Sequence, residues 1–167
     1  MVYVDIENCS HNQYNDLINY ILKICNNIYF HFPNFKNNSD YWKINYDNNG
    51  NINQDYVLYL RKNQKLLDLC YKMGAKKYVS YEYLTTRLAY KTQIINVELF
   101  PYLEQLIIKH HIFQWQYNVL PEDLCFFKND KCRFFSIAHE HQFMIFNETK
   151  DDISFLSNGK FEYLIKK

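Results

Sequence analysis

Two histidines flank a glutamate in the triplet His139-Glu140-His141, which offers the best candidates for acid–base chemistry in this sequence. Histidine titrates near neutral pH, and a neighbouring carboxylate can orient its ring. Adjacent residues of a strand point to opposite faces, so His139 and Glu140 touch only if a turn brings them together. His139 and Glu140 are therefore the catalytic candidates, and a polar turn that binds its own backbone is the alternative.

Two cysteines, Cys125 and Cys132, precede this triplet and raise two further kinds of chemistry. A thiol becomes a nucleophile when a histidine lies beside it. Together with His139 and His141, the thiols could also be imagined as zinc ligands. However, structural zinc sites group their ligands in close pairs, and this spacing does not. We therefore expect no bound metal and no cofactor, with both cysteines half-buried in the core.

These residues lie in the stretch 115–146, which has the pattern of a β-meander. Pro121 disfavours helix at its start, and an apolar run then leads to Asn129-Asp130, residues that tolerate the positive φ of a two-residue hairpin turn. This turn would pair Lys128 with Lys131 and Phe127 with Cys132. Cys125 and Cys132 would then share a face at diagonal positions, a geometry that does not favour a disulfide.

A meander also predicts which polar residues meet, because the start of its first strand lies beside the end of its second. We therefore expect a binding site here. It consists of a polar cluster, formed by Glu122, Asp123, Ser136, His139 and Glu140, and of the aromatic residue Trp115. If the cluster is structural, His139→Ala should cost about 1–3 kcal/mol, as for an orphaned buried polar partner. If it is functional, the same change should leave melting nearly unchanged and abolish activity or partner binding.

The motif P-E-D-x-C-F-F, followed by S-x-x-H-E, resembles a small uncharacterised family of bacterial proteins. Some members of that family are labelled stage III sporulation protein AH. The resemblance covers about a third of the chain and implies no established activity, so it supplies a candidate site only. The matching residues are Pro121, Glu122, Asp123, Cys125, Phe126, Phe127, Ser136, His139 and Glu140.

The remaining sequence predicts an α+β fold: a mainly antiparallel sheet with a C-terminal β-meander and about three packed helices, in a single domain of residues 1–167. Apolar spacing and a Ser10–Gln13 capping box indicate a helix at His11–Cys25. Further helices should end near Met73, begin at Pro101 and begin after Thr149. Strands are expected at 2–6, 28–32, 41–46, 76–83, 88–99 and 161–165.

Composition narrows the classes of function. The net charge is +1 with mixed signs, so nucleic-acid binding is not indicated. No apolar run has the eighteen or more residues of a membrane span. Five cysteines, an odd number, in a chain without a recognisable signal peptide indicate a reducing cytoplasm, so we expect five free thiols.

Two functions remain open at this stage. The first is a cytoplasmic, non-catalytic protein-interaction or regulatory module with a protein partner. It follows from the balanced charge, the abundance of tyrosine and the absence of a recognised catalytic set. The second is a small hydrolase or metal-dependent nuclease that uses His139, Glu140 and Asp123. A strand-end Asp5 could serve such a nuclease together with Asp40 and Asp123.

Overall fold

An eight-stranded antiparallel sheet forms the centre of the computed structural model, which describes residues 1–33, 54–80, 92–116 and 120–166. Its strands lie in the order β3-β4-β2-β5-β6-β7-β1-β8, so the meander β5-β6-β7 is contiguous, as predicted. The strands are β1 (Val2–Asp5), β2 (Asn27–Pro33), β3 (Lys76–Ser80), β4 (Thr92–Glu98), β5 (Glu122–Lys128), β6 (Lys131–Ile137), β7 (Gln142–Ile145) and β8 (Glu162–Ile165).

Four α-helices accompany the sheet in the described part of the chain, against about three expected. They are α1 (His11–Ile24), α2 (Gln54–Lys72), α3 (Pro101–Lys109) and α4 (Lys150–Asn158). The predicted capping box at Ser10 begins α1, and a second one, between Thr149 and Asp152, begins α4. The α+β prediction is therefore confirmed. The strand predicted at 41–46 lies outside the described residues.

Helices and sheet share one large core on one side of the sheet. The apolar spacing predicts that helix α1 packs through Leu17, Ile18, Ile21 and Leu22. Leu17, Ile18 and Ile21 are fully buried, and Leu22 packs against the same cluster but is only partly buried. Residues from the other three helices, among them Leu67 and Leu156, join the same cluster. Burial of this apolar surface is the main stabilising contribution to the fold.

The opposite face of the sheet carries a second, smaller apolar cluster. Within the described part of the chain, this cluster is built from residues of the strands and their ends and contains no helical residue. Several of its members lie in one lateral row, because directly paired residues of antiparallel strands point to the same face. From β8 to β2 the row runs through Leu164, Tyr3, Met144, Phe135, Cys125 and Tyr29. We call this side of the sheet the second face.

The hairpin between β5 and β6 has the predicted turn and an irregularity that was not predicted. Asn129 and Asp130 have φ of 49° and 60°, as a tight hairpin turn requires. Phe127 pairs with Cys132, but Phe126 already pairs with Phe134, so Arg133 is an extra residue in a β-bulge. The bulge lets Arg133 reach α4 on the helical side while its neighbour Phe134 packs in the same core.

Strand β1 lies in the interior of the sheet, although it comes first in the chain. It pairs with β7 on one side and with β8 on the other. The amino group of Met1 also forms an ion pair with Glu148 at 3.1 Å. Strand β8 is one edge of the sheet, and β3 is the other.

A buried histidine in β2 predicts a loss of stability in mild acid. His31 is 4 % exposed, and its burial lowers its pKa to about 4. Between that value and the unfolded pKa near 6.5, the unfolded chain binds a proton that the folded chain does not. The free energy of unfolding should therefore fall by about 1.4 kcal/mol for each pH unit below roughly 6.5.

Urea denaturation of the wild type and of His31→Gln between pH 7 and pH 4.5 measures this contribution. We expect the variant to be destabilised overall but to show a flatter dependence on pH. Parallel pH profiles for the two proteins would contradict the assignment to His31.

In the part of the chain that the structure describes, no helix is both long and apolar enough to span a bilayer.

Candidate functional site

Asp123 is the buried centre of the predicted polar cluster. It is 1 % exposed, and its Oδ1 accepts a hydrogen bond from the backbone N–H of Ala138 at 2.7 Å. Its own N–H donates to the carbonyl of Trp115 at 3.1 Å. The carboxylate thus joins the start of β5 to the turn that follows β6, where a meander is expected to bring these segments together. Its φ of 44° is a conformation that aspartate tolerates better than most residues.

Ser136 is also buried and is also bonded to backbone. Its hydroxyl accepts a hydrogen bond from the N–H of Leu124 at 3.0 Å and lies 3.4 Å from the carbonyl of the same residue. The side chain therefore bridges β6 to β5 from within the sheet. Asp123 and Ser136 are both buried and form hydrogen bonds with backbone groups. Neither side chain therefore lies at a surface where it could meet a ligand.

His139 and Glu140 lie together in an exposed turn. The short 3₁₀ segment Ala138–Glu140 brings His139 Nε2 within 3.7 Å of Glu140 Oε1, with side-chain exposures of 43 % and 38 %. The turn therefore supplies the contact that a regular strand would have prevented. Because His139 is exposed, a loss of stability through an orphaned buried partner is expected at Asp123 and not at His139.

Trp115 and Glu122 complete the predicted set. Trp115 is fully buried, with its ring 6.2 Å from that of Phe30. It packs the interior and offers no surface to a partner, contrary to the binding role expected for it. Glu122 begins β5, and its backbone pairs with that of His31.

Neither Asp123 nor His139 nor Glu140 lines any of four cavities found on the described part of the chain. The predicted cluster therefore joins two backbone segments around a buried carboxylate, with an exposed His–Glu pair beside it. A pocket between these three side chains would have been the expected mark of a hydrolase.

Substitutions at Asp123 and His139 can separate the structural members of the cluster from the exposed ones. We expect Asp123→Ala to lower the free energy of unfolding by about 1–3 kcal/mol, because Ala138 N–H loses its buried acceptor. Asp123→Asn should lose less, since asparagine retains an acceptor and tolerates positive φ. His139→Ala should change stability by less than about 0.5 kcal/mol, as for an exposed position.

Urea denaturation followed by circular dichroism measures all three variants under the same conditions. Equal losses for Asp123→Ala and His139→Ala would contradict the assignment of the structural role to the buried carboxylate.

A second acidic and histidine-containing group lies near the edge of the sheet, and sequence reasoning missed it. His141 Nδ1 is 3.0 Å from Glu7 Oε1, and both side chains are exposed. They line an edge cavity of about 470 Å³ together with other residues of β1, β7 and β8. The partners are 134 residues apart in the chain. Only the pairing of β1 with β7 brings them together.

His111 lies near this group but has a structural role. Its ring stacks on Tyr14, with the ring centroids 4.2 Å apart, and its Nδ1 lies 3.3 Å from the N–H of Phe113. Burial lowers its pKa, although a backbone hydrogen bond with Ile6 acts in the opposite direction. It therefore packs against Tyr14, and its burial disfavours the charged form of the ring.

A metal-dependent nuclease site would require several carboxylates around one ion. Asp5 instead accepts hydrogen bonds from the Asn8 side-chain amide and from the backbone N–H groups of Asn8 and Glu7, and the Asn8 side chain is the main cause of its lowered pKa. Asp123 is engaged with Ala138, and Asp40 lies outside the described residues. Among the described residues, no group of three or more histidine, cysteine, aspartate or glutamate side chains could hold a metal ion.

The two hairpin cysteines are much closer than their diagonal positions suggest. Both thiols are free, and their sulfur atoms are 3.2 Å apart. They line a hairpin cavity of about 470 Å³ on the second face, which is formed by Cys125, Phe127, Lys131, Cys132, Phe135, Phe146 and Asn147. The two side chains meet from diagonal positions of the hairpin, and the spacing of the cysteines alone does not predict this contact.

A comparison with protein-family models found no match, and neither the curated proteins nor the solved structures contain a match to this chain.

Proposed function

We propose that the chain is a non-catalytic protein-interaction or regulatory module of the bacterial cytoplasm, and that it binds its partner at the second face. The hairpin cavity is the observation that carries this proposal. Three phenylalanines, Phe127, Phe135 and Phe146, line it, with Lys131 and Asn147 at its exposed side. A concave apolar site with a few polar groups is typical of binding sites.

The partner expected at this cavity presents an apolar side chain. Interfaces are dominated by a few buried aromatic or aliphatic anchors that fill pockets of this kind. The exposed polar residues beside the phenylalanines would form the rim of the interface. The resemblance to the bacterial family with the P-E-D-x-C-F-F motif is consistent with a bacterial origin and assigns no activity.

Affinity capture from a lysate of the source bacterium tests the proposal. The wild type, Phe146→Asp and Tyr102→Asp should be immobilised in parallel. Tyr102 lies on α3 and is 41 % exposed, so its variant is a matched surface control. The captured protein should bind the wild type and Tyr102→Asp but bind Phe146→Asp at least about tenfold more weakly, a difference of about 1.4 kcal/mol.

Circular dichroism melts of each variant should accompany this comparison, so that loss of binding is not mistaken for loss of folding. A partner that binds Phe146→Asp as tightly as the wild type would contradict the proposed surface.

The alternative function is a small hydrolase or metal-dependent nuclease. The sequence assigns it to His139, Glu140 and Asp123, whereas the exposed histidine–carboxylate pair that lines a cavity is His141 and Glu7. The edge cavity with its His141–Glu7 pair is the observation that favours hydrolysis, because a carboxylate-bound histidine can act as a general base. Hydrolysis of chromogenic carboxyl and phosphate esters, lost in both His139→Ala and His141→Ala at unchanged stability, would support it.

A further inference from the structure

Cys125 and Cys132 form a pair with unequal access to solvent. Cys125 is 6 % exposed and lies in the lateral row of the second face. Cys132 is half-buried and also lines the hairpin cavity. Their sulfur atoms are 3.2 Å apart, whereas a disulfide bond is about 2.05 Å long, so a movement of roughly 1 Å would join them.

The contact also makes the two thiols chemically unequal. The hydrogen bond between them lowers the pKa of Cys132 and raises that of Cys125 well above its usual value. This is the pattern expected if the Cys125 thiol donates to a Cys132 thiolate. The thiolate is the reactive form of cysteine, and the contact favours this form at Cys132, the more accessible of the two sulfurs.

Phenylalanine side chains surround the two thiols, so a molecule that reacts with Cys132 from this cavity would be apolar. Phe127, Phe135 and Phe146 form the wall of the hairpin cavity, and the Phe135 and Phe146 rings are 6.4 Å apart. A cavity of about 470 Å³ with this lining fits a compact apolar molecule better than a small polar one.

We propose that the hairpin cavity is a modification site at which an organic hydroperoxide oxidises Cys132, and that Cys125 resolves the product as a disulfide. The Cys132 thiolate attacks the hydroperoxide, forming an S–O bond and breaking the O–O bond. The alkoxide released takes up a proton and leaves as an alcohol. Cys132 is oxidised to a sulfenic acid, and the hydroperoxide is reduced by the same two electrons.

The second step closes the disulfide. The Cys125 sulfur attacks the Cys132 sulfur, the S–S bond forms and the S–O bond breaks. The departing hydroxide takes the Cys125 proton and leaves as water. The net reaction converts two thiols and one hydroperoxide into one disulfide, one alcohol and one water. The five free thiols expected from the sequence are then those of the reduced protein.

Oxidation of the native, fully reduced protein by cumene hydroperoxide tests this proposal. Thiol titration after denaturation should fall from five free thiols to three, and peptide mapping should place the disulfide between Cys125 and Cys132. Cys132→Ser should prevent this loss. Cys125→Ser should instead accumulate a sulfenic acid at Cys132 that dimedone traps. Cys9→Ser, a change at a cysteine distant in sequence, should leave the disulfide unchanged.

A comparison of oxidants tests the role of the cavity. Cumene hydroperoxide should react faster than hydrogen peroxide, and Phe146→Ser should slow the first reaction more than the second. Five remaining thiols, or a disulfide that involves Cys25 or Cys70, would overturn the proposal. Equal rates with both oxidants would overturn the assignment of the cavity as the hydroperoxide site.

Discussion

Replacing Asp152 by alanine should lower the free energy of unfolding by about 3–5 kcal/mol, the usual cost of removing one partner of a buried ion pair. Asp152 is fully buried in the first turn of α4 and forms an ion pair with Arg133 in the bulge. Its carboxylate also accepts hydrogen bonds from the Tyr20 hydroxyl at 2.9 Å and from the N–H and hydroxyl of Thr149. One carboxylate thereby connects α1, α4 and β6.

Urea denaturation of four further variants, including Arg133→Met alone, can separate the ion pair from the helix cap. Asp151→Ala removes an exposed carboxylate from the same turn and should cost no more than about 1 kcal/mol. Asp152→Asn keeps an acceptor for the cap and should lie between wild type and Asp152→Ala. Adding Arg133→Met to Asp152→Ala should restore part of the loss, because no unpaired buried charge remains.

Equal losses for Asp151→Ala and Asp152→Ala would show that the network around Asp152 contributes little. Additive effects of Arg133→Met and Asp152→Ala would contradict direct coupling between the two side chains.

Leu17→Ala should cost about 2–5 kcal/mol, since it removes a fully buried side chain from the centre of α1. The size of the loss depends on how far the surrounding core closes around the cavity. Asn19→Ala is the matched control, because Asn19 is exposed on the same helix and alanine has the higher helix propensity. A loss below about 0.5 kcal/mol for Leu17→Ala in chemical denaturation would mean that this face of α1 does not carry the packing.

Short sequence patterns were sufficient to predict several helix starts and the hairpin turn of the fold. The Ser10–Gln13 and Thr149–Asp152 capping boxes predicted where α1 and α4 begin, because a cap depends on residues three positions apart. Asn129-Asp130 likewise predicted the hairpin turn and its first two residue pairs. These features involve short separations in the sequence, so composition and spacing contain the necessary information.

The site depended on contacts that no short sequence window contains. The β-bulge at Arg133 changes the register after two pairs, and the spacing of the residues did not predict it. The approach of Cys125 to Cys132 from diagonal positions depends on side-chain conformations, which the spacing does not contain. The His141–Glu7 pair requires knowledge that β1 lies beside β7. Trp115 was expected at a binding surface, but the sequence cannot tell a buried aromatic from an exposed one where so many are present.

The interior position of β1 has a consequence for how the chain is made. Residues 2–5 are synthesised well before the two strands that flank them, because both of those strands belong to residues 142–165. At usual synthesis rates, roughly 7–30 s pass between the synthesis of β1 and that of β7 and β8. During that time its backbone N–H and C=O groups, beside the apolar side chains of Val2 and Val4, are available to other nascent chains. Strand β1 is thus exposed until the end of a much later part of the chain has been synthesised.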